Sequence, residues 1–590
     1  MNSINPLYRK IIYLVGIVVL LLPLFYLGQP ATRGGNKESQ GGKLEQLRKE
    51  YGLGQAELGD IDPASEAIRL ATLGARGIAT TLLWSKVNND KMTEDWTSME
   101  ATLKQLAKLQ PYFIAVWRYQ AWNLSYNVSV ELDDVKDRFF YVKEGVKYLQ
   151  QGIQYNRDNP SLLADLGWFI GNKIGRADEK EFYRRLFRAD DELHKPDTRP
   201  EQRDNWLVSK DWYQQAMSVV DDKKKSLGGK NPTTFFSNAA KSQINYADAI
   251  ENEGTFGERA RQAWSTASRM WRQYGTREMM SSFGVLIRLE DAQLWADRLQ
   301  ELIDELDALD PGLRDRMATE ARESLTPEEK KALEATGDLS DDMYAVRSEA
   351  EEKLTITPQD IAARIAQDNP SLAKQVRRIA NQIDDVNKRI RMIASNSGVA
   401  NYDYWRTRCD LEQTPEALKA HELCYDANRV WKDEGEPERA REMYEEGFRD
   451  WAAALDKFPE LPPDSPTGSD IMVFIEQYGD LLNQLDLSLS DEELASAFPL
   501  WDIVEANDME NRFAAELRAH LERTNRAPQD RDAESLINPG DALIDRYDEE
   551  PTPPAAEESA EEATDEGAAD EPAAEEPAAG EPSANEPTAE

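Results

Sequence analysis

Small and aromatic residues alternate at helical spacing in the stretch 425–455. Four of them follow the turn 434–437 at intervals of i, i+4, i+7 and i+11: Ala440, Tyr444, Gly447 and Trp451. This spacing places all four on one face of a helix. Because small residues let a second helix approach closely and aromatic rings fill the remaining gaps, the pattern predicts one member of a packed helix pair.

The same stripe occurs about 180 residues earlier, behind a Glu-Gly turn at 253–254. Its members are Ala260, Trp264, Ala267 and Trp271. Both copies also contain Glu-Arg-Ala-Arg, at 258–261 and 438–441, which indicates an internal repeat. The pattern resembles the second helix of a tetratricopeptide (TPR) repeat, with 424–431 as the first helix of the later copy. The resemblance implies an all-α fold, a TPR-like α-solenoid, and such folds commonly bind other proteins.

Residues 63–283 are predicted to form the first block of such helix pairs. Two runs are similar to a bacterial TPR-type family in which Leu-Gly precedes a Leu-Trp pair: LATLGARGIATTLLW and LKQLAKLQPYFIAVWRYQAWNL. Thr80 and Thr81 replace the Ala-Asp of that family, so no role of that acid is carried over. Asn159 and Pro160 begin the best-formed early unit, because Asn caps a helix and Pro is favoured at its first position.

Apolar residues change to heptad spacing within 284–398. Two segments alternate steps of three and four: Ala292, Trp295, Leu299, Leu302, Leu306 and Leu309 in the first, and Leu372, Val376, Ile379, Ile383, Val386, Ile390 and Ile393 in the second. Such spacing is typical of a coiled coil. It predicts a helical hairpin inserted between two repeat blocks; the alternative is that either seam pairs with a second chain in a homodimer. Thr326 with Glu329 and Thr357 with Asp360 predict helix starts between the segments.

The chain after residue 398 changes in apolar content twice. Residues 399–500 are predicted to form a second TPR-like block, and 501–547 a poorly ordered segment with one short helix. Residues 548–590 consist mainly of Ala, Glu, Pro and Asp. This tail cannot bury enough apolar surface to offset the entropy of ordering, so it is predicted to be disordered. It is interpreted as a solvating segment, with binding of cations or of a basic partner as the alternative.

A long uncharged stretch lies near the N-terminus. Residues 11–28 carry no charge and are close to the minimum length that spans a bilayer. They are predicted to be an uncleaved transmembrane signal anchor between a short tail, 1–10, and a linker, 29–62; a cleaved signal peptide is the alternative. Arg9 and Lys10 resemble the cytoplasmic flank of such an anchor. This predicts a single-pass protein of the cytoplasmic (inner) membrane with its bulk on the extracytoplasmic, periplasmic side.

A strong negative charge restricts the class of partner. The formal net charge is −40 at pH 7, and about 16 acidic residues lie after Tyr547 in a tail without Lys or Arg. A protein this acidic repels phosphate backbones and gains nothing from counterion release, so nucleic acid is excluded as a partner. The acidic surface instead predicts a protein partner with a basic segment.

Candidate chemical groups are few. Histidine occurs at His194, His421 and His520, and none of these lies in a metal-binding motif. His421 and Cys424 share a helical face and are the one possible ligand pair, but a surface His beside a core Cys is the favoured interpretation. Motifs for a catalytic nucleophile or a bound nucleotide are absent as well. The sequence therefore predicts no enzyme, no cofactor, and no catalytic, cofactor-binding or metal-ligating residue.

Two further predictions concern the cysteines and the tryptophans. Cys409 and Cys424 are predicted to be buried free thiols, because a helix that begins near residue 414 separates them by more than a disulfide can span. The tryptophans are predicted to lie mostly in the core. The exception is that Trp117 or Trp122 could line a binding groove.

The chain as a whole also resembles membrane-anchored, acidic-tailed proteins common in planctomycete-type bacteria, some of which carry an "iron responsive element" label. The label is not adopted, because neither the charge nor the His and Cys content supports RNA or iron binding. The repeats predict a membrane-anchored scaffold or assembly factor that mediates protein–protein interaction. The alternatives are a structural, membrane-linked oligomer held by the coiled coil, and an enzyme with a pocket in the solenoid.

Overall fold

The computed structural model describes residues 76–93, 95–281, 284–335, 340–524 and 526. Almost all regular structure in these ranges is helical, which confirms the predicted all-α class. None of the described helices has the length and apolar character needed to cross a membrane. The predicted anchor 11–28, the linker and the acidic tail lie outside the described residues.

The first block consists of helices that pack against their neighbours in the chain. They are α1 (Arg76–Met92), α2 (Trp96–Leu109), α3 (Ile114–Trp122), α4 (Val135–Tyr155), α5 (Pro160–Trp168), α6 (Lys180–Ala189), α7 (Asn205–Lys223), α8 (Pro232–Asn252) and α9 (Glu258–Gly275). Helices α3 and α5 continue into π-helical turns, Asn123–Val128 and Phe169–Lys173. The side chain of Asn159 accepts a hydrogen bond from the backbone N–H of Leu162, which confirms the predicted start of α5.

A small hairpin and a group of further helices follow α9. The hairpin pairs β1 (Met279–Met280) with β2 (Leu286–Ile287) in antiparallel orientation. The helices are α10 (Ala292–Asp307), α11 (Leu313–Ser324), α12 (Pro327–Glu334), α13 (Asp341–Leu354), α14 (Pro358–Asp368) and α15 (Ala373–Ala400). Capping boxes at Thr326 and Thr357 begin α12 and α14, as predicted from the sequence.

The two segments with heptad spacing pack against each other within the chain. One buried core contains residues of both: Leu302, Leu306, Val376, Ile379, Ile383 and Val386. Helices α11 to α14 occupy the connection between them, and α14 adds Ile361 and Ile365 to the same core. The insertion therefore contains more helices than the two of a simple hairpin.

The second block begins directly after α15. Its helices are α16 (Tyr402–Glu412), α17 (Pro415–Arg429), α18 (Pro437–Leu455), α19 (Pro466–Gln484), α20 (Glu492–Ala497), α21 (Trp501–Asn507) and α22 (Ala514–Thr524). Helix α17 continues into a third π-helical turn, Val430–Glu434. Trp501 and Val504 are buried in the core of this block. Helical order thus continues beyond residue 500, where the sequence predicts a poorly ordered segment with one helix.

Both stripes of small and aromatic residues are buried between paired helices. The buried residues are Ala260, Trp264, Ala267 and Trp271 on α9, and Ala440, Tyr444, Gly447 and Trp451 on α18. A Cβ atom at Gly447 would lie 2.9 Å from Sγ of Cys424 on α17, so this close approach requires glycine. Cys409 and Cys424 are buried and free, as predicted.

Contacts between α9 and α16 join the two blocks across the insertion. The indole N–H of Trp271 donates a hydrogen bond of 2.8 Å to the carbonyl oxygen of Tyr402. The hydroxyl group of Ser268 donates one of 2.8 Å to the carboxylate of Asp410. Tyr402 and Cys409 also belong to the same buried core as the first block. The helices on either side of the insertion therefore form one continuous packed structure.

Replacing Ala440 with tryptophan is expected to lower the free energy of unfolding by about 1–3 kcal/mol, because a filled core must shift to admit the larger side chain. Ala440 lies on α18, which packs against α17, and its side chain is fully buried. Urea unfolding of the full chain, followed by circular dichroism, measures the change. Ala453→Trp, at an exposed position of the same helix, is the control. Equal unfolding midpoints for the two variants would contradict the packing of α18.

Candidate functional site

Six ionisable side chains converge where the two blocks meet. They come from four helices: Asp248 and Glu251 from α8, Arg408 and Glu412 from α16, His421 from α17, and Asp470 from α19. Residues three or four positions apart on a helix lie on the same side, which explains why α8 and α16 each contribute two of them. We call these six residues the charged cluster.

Arg408 supplies the fixed positive charge of the cluster. Its side chain is almost fully buried, and Nη2 lies 2.6 Å from Oδ2 of Asp470 and 3.5 Å from Oδ1 of Asp248. Its Nε lies 3.3 Å from Oε1 of Glu412. The guanidinium group also approaches the ring of Trp264, at 5.9 Å from the ring centroid. A guanidinium group does not lose its proton in a protein. Arg408 therefore provides a constant positive charge beside all three carboxylates.

Glu412 and His421 form a buried ion pair, with Oε2 and Nε2 3.0 Å apart. The His421 ring packs edge-on against Trp451, at 4.6 Å between ring centroids. Burial opposes ionisation of His421, but the carboxylates of Glu251 and Glu412 raise its pKa to about 9. Burial likewise opposes ionisation of Glu412, but His421 and Arg408 lower the pKa of this carboxyl group. His421 is therefore not the surface residue that the sequence suggests.

Glu251 has one carboxylate oxygen with a partner and one without. Oε2 accepts a hydrogen bond of 2.9 Å from the indole N–H of Trp264. Oε1 is buried and has no hydrogen-bond partner among the described residues. Burial raises the pKa of the Glu251 carboxyl group; His421 opposes this rise and Glu412 adds to it. A buried oxygen without a donor carries a desolvation cost that a proton or a cation would remove.

Three atoms of the cluster that can ligate a cation face one another. One carboxylate oxygen each from Glu251 and Glu412 and a ring nitrogen of His421 all lie within 4.8 Å of one another. Cys424, the ligand partner that the sequence suggests for His421, is not part of this group. Its sulfur instead faces Gly447 at the contact of α17 with α18. The arrangement can hold a cation or share a proton.

The other two histidines have structural contacts. Nε2 of His194 lies 2.8 Å from the carbonyl oxygen of Phe187. His520 stacks on Trp501, with ring centroids 4.4 Å apart. Burial lowers the pKa of both imidazoles, which favours their neutral form.

Sequence motifs do not single out Glu251 or Glu412, but Glu251 has a recognisable signal. It occupies the i+11 position of a stripe on α8 whose other members are Ala240, Ile244 and Ala247. All four residues are buried. A carboxylate on an otherwise apolar stripe indicates a buried charge that needs a partner.

A second candidate surface is an aromatic patch formed by Trp122, Tyr126 and Trp168. The three rings are half-buried, with centroids 4.0 Å apart for Trp122 and Tyr126 and 6.0 Å apart for Tyr126 and Trp168. Nζ of Lys173 lies 4.5 Å from the centroid of Tyr126. The patch lies beside two π-helical turns, which are frequent at functional sites. Trp117 is buried, so of the two tryptophans that the sequence suggests for a groove only Trp122 is partly accessible.

Comparisons of the chain with protein-family models, with curated proteins and with solved structures found no match. No relative therefore transfers a function to this chain. Any inference about function therefore rests on the geometry of the charged cluster and of the aromatic patch.

Proposed function

We propose that the protein is a membrane-anchored, TPR-like scaffold or assembly factor that mediates protein–protein interaction. The observation that carries this proposal is the burial of matching stripes between paired helices, on α9 and on α18. Successive helix pairs that pack along the chain are the architecture of α-solenoids, which present extended surfaces to partners. Catalysis, a cofactor and nucleic acid are not part of the proposal.

Membrane anchoring enters the proposal from the sequence alone. Residues 11–28 are the segment proposed to contact the lipid bilayer, as a single-pass anchor in the cytoplasmic membrane. The helical blocks would then lie on the extracytoplasmic side. A scaffold held in this way would meet its partners at the membrane surface.

The insertion is proposed to be a coiled-coil element that projects between the two TPR-like blocks. Its seam residues Ile383 and Val386 are buried against α10 within the same chain. This favours pairing of the two heptad segments inside one chain over pairing in a homodimer. Oligomerisation through the insertion therefore ranks below the scaffold as a proposed function.

The chemistry of the two candidate surfaces indicates the kind of partner. Partly accessible tryptophan and tyrosine side chains, as in the aromatic patch, are frequent binding hot spots. Asp248 and Asp470 leave 45% and 51% of their side chains exposed at the outer side of the charged cluster. Together with the net charge of −40, these carboxylates favour a partner with a basic segment.

Substituting the aromatic patch is expected to weaken partner binding at least tenfold. The partner is identified by crosslinking in cells and then purified, and its affinity is measured for the full wild-type chain and for the double variant Trp122→Ala, Trp168→Ala. Truncation of hot-spot aromatic side chains costs about 2 kcal/mol or more, which supports this size of effect. Trp431→Ala, at another partly exposed tryptophan, is the control and is expected to bind like wild type.

The electrostatic part of the proposal has a separate test. Raising the salt concentration screens charge pairs at the surface, so the affinity for the partner is expected to fall. Salt-independent binding would contradict a basic partner segment, and unchanged affinity of the double variant would contradict binding at the aromatic patch.

A further inference from the structure

We propose that Glu251, Glu412 and His421 form a binding site for a divalent transition-metal ion. Two carboxylate oxygens and one imidazole nitrogen are a ligand set that Zn²⁺ and related ions accept. The 3.0 Å between Nε2 of His421 and Oε2 of Glu412 suits two ligands of one ion, since each would lie about 2.0–2.2 Å from it. The proposal is independent of the scaffold function.

The third ligand, Glu251, has to move towards the other two to complete the site. The three ligand atoms lie within 4.8 Å of one another. In a tetrahedral site, bonds of about 2.0–2.2 Å place any two ligand atoms about 3.3–3.6 Å apart. A shift of at most about 1.5 Å in the Glu251 side chain therefore closes the site, and a change in its side-chain torsion angles can supply that movement.

Oε1 of Glu251 provides a second, independent observation in favour of a cation site. Glu251 is only 4% exposed, and its Oε1 has no hydrogen-bond donor although Oε2 has one. A buried carboxylate with one unpartnered oxygen is costly without a counter-charge. A bound cation supplies that charge to all three side chains at once.

One oxygen of each carboxylate is held by a neighbouring side chain. Trp264 donates a hydrogen bond to Oε2 of Glu251, and Nε of Arg408 lies 3.3 Å from Oε1 of Glu412. Each carboxylate is therefore fixed by one oxygen and offers the other. Such contacts orient metal ligands and tune their affinity in known sites.

The charge and the position of the site also fit a cation. The charged cluster contains four carboxylates and one guanidinium group, so its net charge is −3 when the carboxylates are ionised and His421 is neutral. Asp248 and Asp470, both about half exposed, provide the approach from solvent. The ligands come from α8 of the first block and from α16 and α17 of the second, so a bound ion would brace the junction between the blocks.

Titration of the full chain with Zn²⁺ tests the site. The protein is stripped with a chelator, and Zn²⁺ binding is measured by calorimetry. We expect one site of higher affinity, weakened at least tenfold by Glu251→Gln and by His421→Asn, because each variant removes one ligand while keeping a similar size. Glu422→Gln is the matched control, since it removes the same charge from an exposed position beside His421. Co²⁺ as a second probe should give visible absorption bands that His421→Asn abolishes.

Three outcomes would overturn the proposal. The first is that wild-type protein binds no Zn²⁺ above the weak background of its many surface carboxylates. The second is that both variants, Glu251→Gln and His421→Asn, bind Zn²⁺ as wild type does although circular dichroism shows them to be folded. This result would place the ion on other acidic residues, such as those after Tyr547. If both variants fail to fold, the wild-type Co²⁺ spectrum decides, and absence of nitrogen coordination would contradict the site.

Discussion

Replacing Trp271 with alanine is expected to lower the free energy of unfolding by about 3–5 kcal/mol, as for other truncations of large buried aromatic side chains. Trp271 is 0% exposed, and its ring stacks on that of Tyr402 with centroids 5.8 Å apart. The truncation leaves a cavity and removes the donor to the carbonyl oxygen of Tyr402. Because Trp271 precedes the insertion and Tyr402 follows it, the loss falls on the contact that joins the two blocks.

Urea unfolding of the full chain, followed by circular dichroism, measures this effect. Trp431→Ala is the matched control, because Trp431 is partly exposed and its indole N–H bonds only the side chain of Gln484. The control is expected to lose about 1 kcal/mol or less. If Trp271→Ala unfolds at the same urea concentration as the control, the contact between α9 and α16 does not support the fold.

The helix pairs could be predicted from the sequence because the information for them is local. Ala440, Tyr444, Gly447 and Trp451 share a helical face by spacing alone, and any second helix that covers this face must use its small residues for close approach. The capping signals at Thr326 and Thr357 are equally local, and the structure confirms both helix starts. Local spacing shows which face of a helix is apolar, whichever neighbour covers it.

The neighbours themselves could not be predicted in the same way. Heptad spacing makes the seams of α10 and α15 visible, but it is equally compatible with pairing inside one chain and pairing between two. The structure shows Leu306 and Ile383 in one core of a single chain. The choice depends on how α11 to α14 connect the two segments, and that is a property of the whole fold.

The charged cluster is even harder to predict from the sequence than the helix neighbours. Glu251 and Glu412 lie on opposite sides of the insertion, and their approach depends on the packing of α8 against α16 and α17. The chain has 110 acidic residues, so neither glutamate is distinctive by type. Spacing shows only the neighbours of His421 on α17, so the sequence predicts a surface residue. In the structure, Glu412 and Trp451 cover His421 from other helices.

Replacing Arg408 with leucine is expected to destabilise the protein by about 3–5 kcal/mol, because it leaves buried carboxylates without their fixed counter-charge. Arg408 contacts Glu412 and Asp470 and is nearly inaccessible to solvent. Urea unfolding gives the size of the loss. Arg439→Leu, which removes ion pairs made at the surface by an exposed arginine, is the control and should change stability little.

A double-mutant cycle separates charge from packing at Arg408. If the loss comes from the uncompensated carboxylate, Glu412→Gln should cost less in the Arg408→Leu background than in wild type, since the charge it removes is then unpaired on that side. Arg408 also packs near the Trp264 ring, so lost packing alone would make the two substitutions additive. Additive losses would therefore assign Arg408 a space-filling role, whereas coupling would establish the charged cluster as one electrostatic unit that ties α16 to its neighbours.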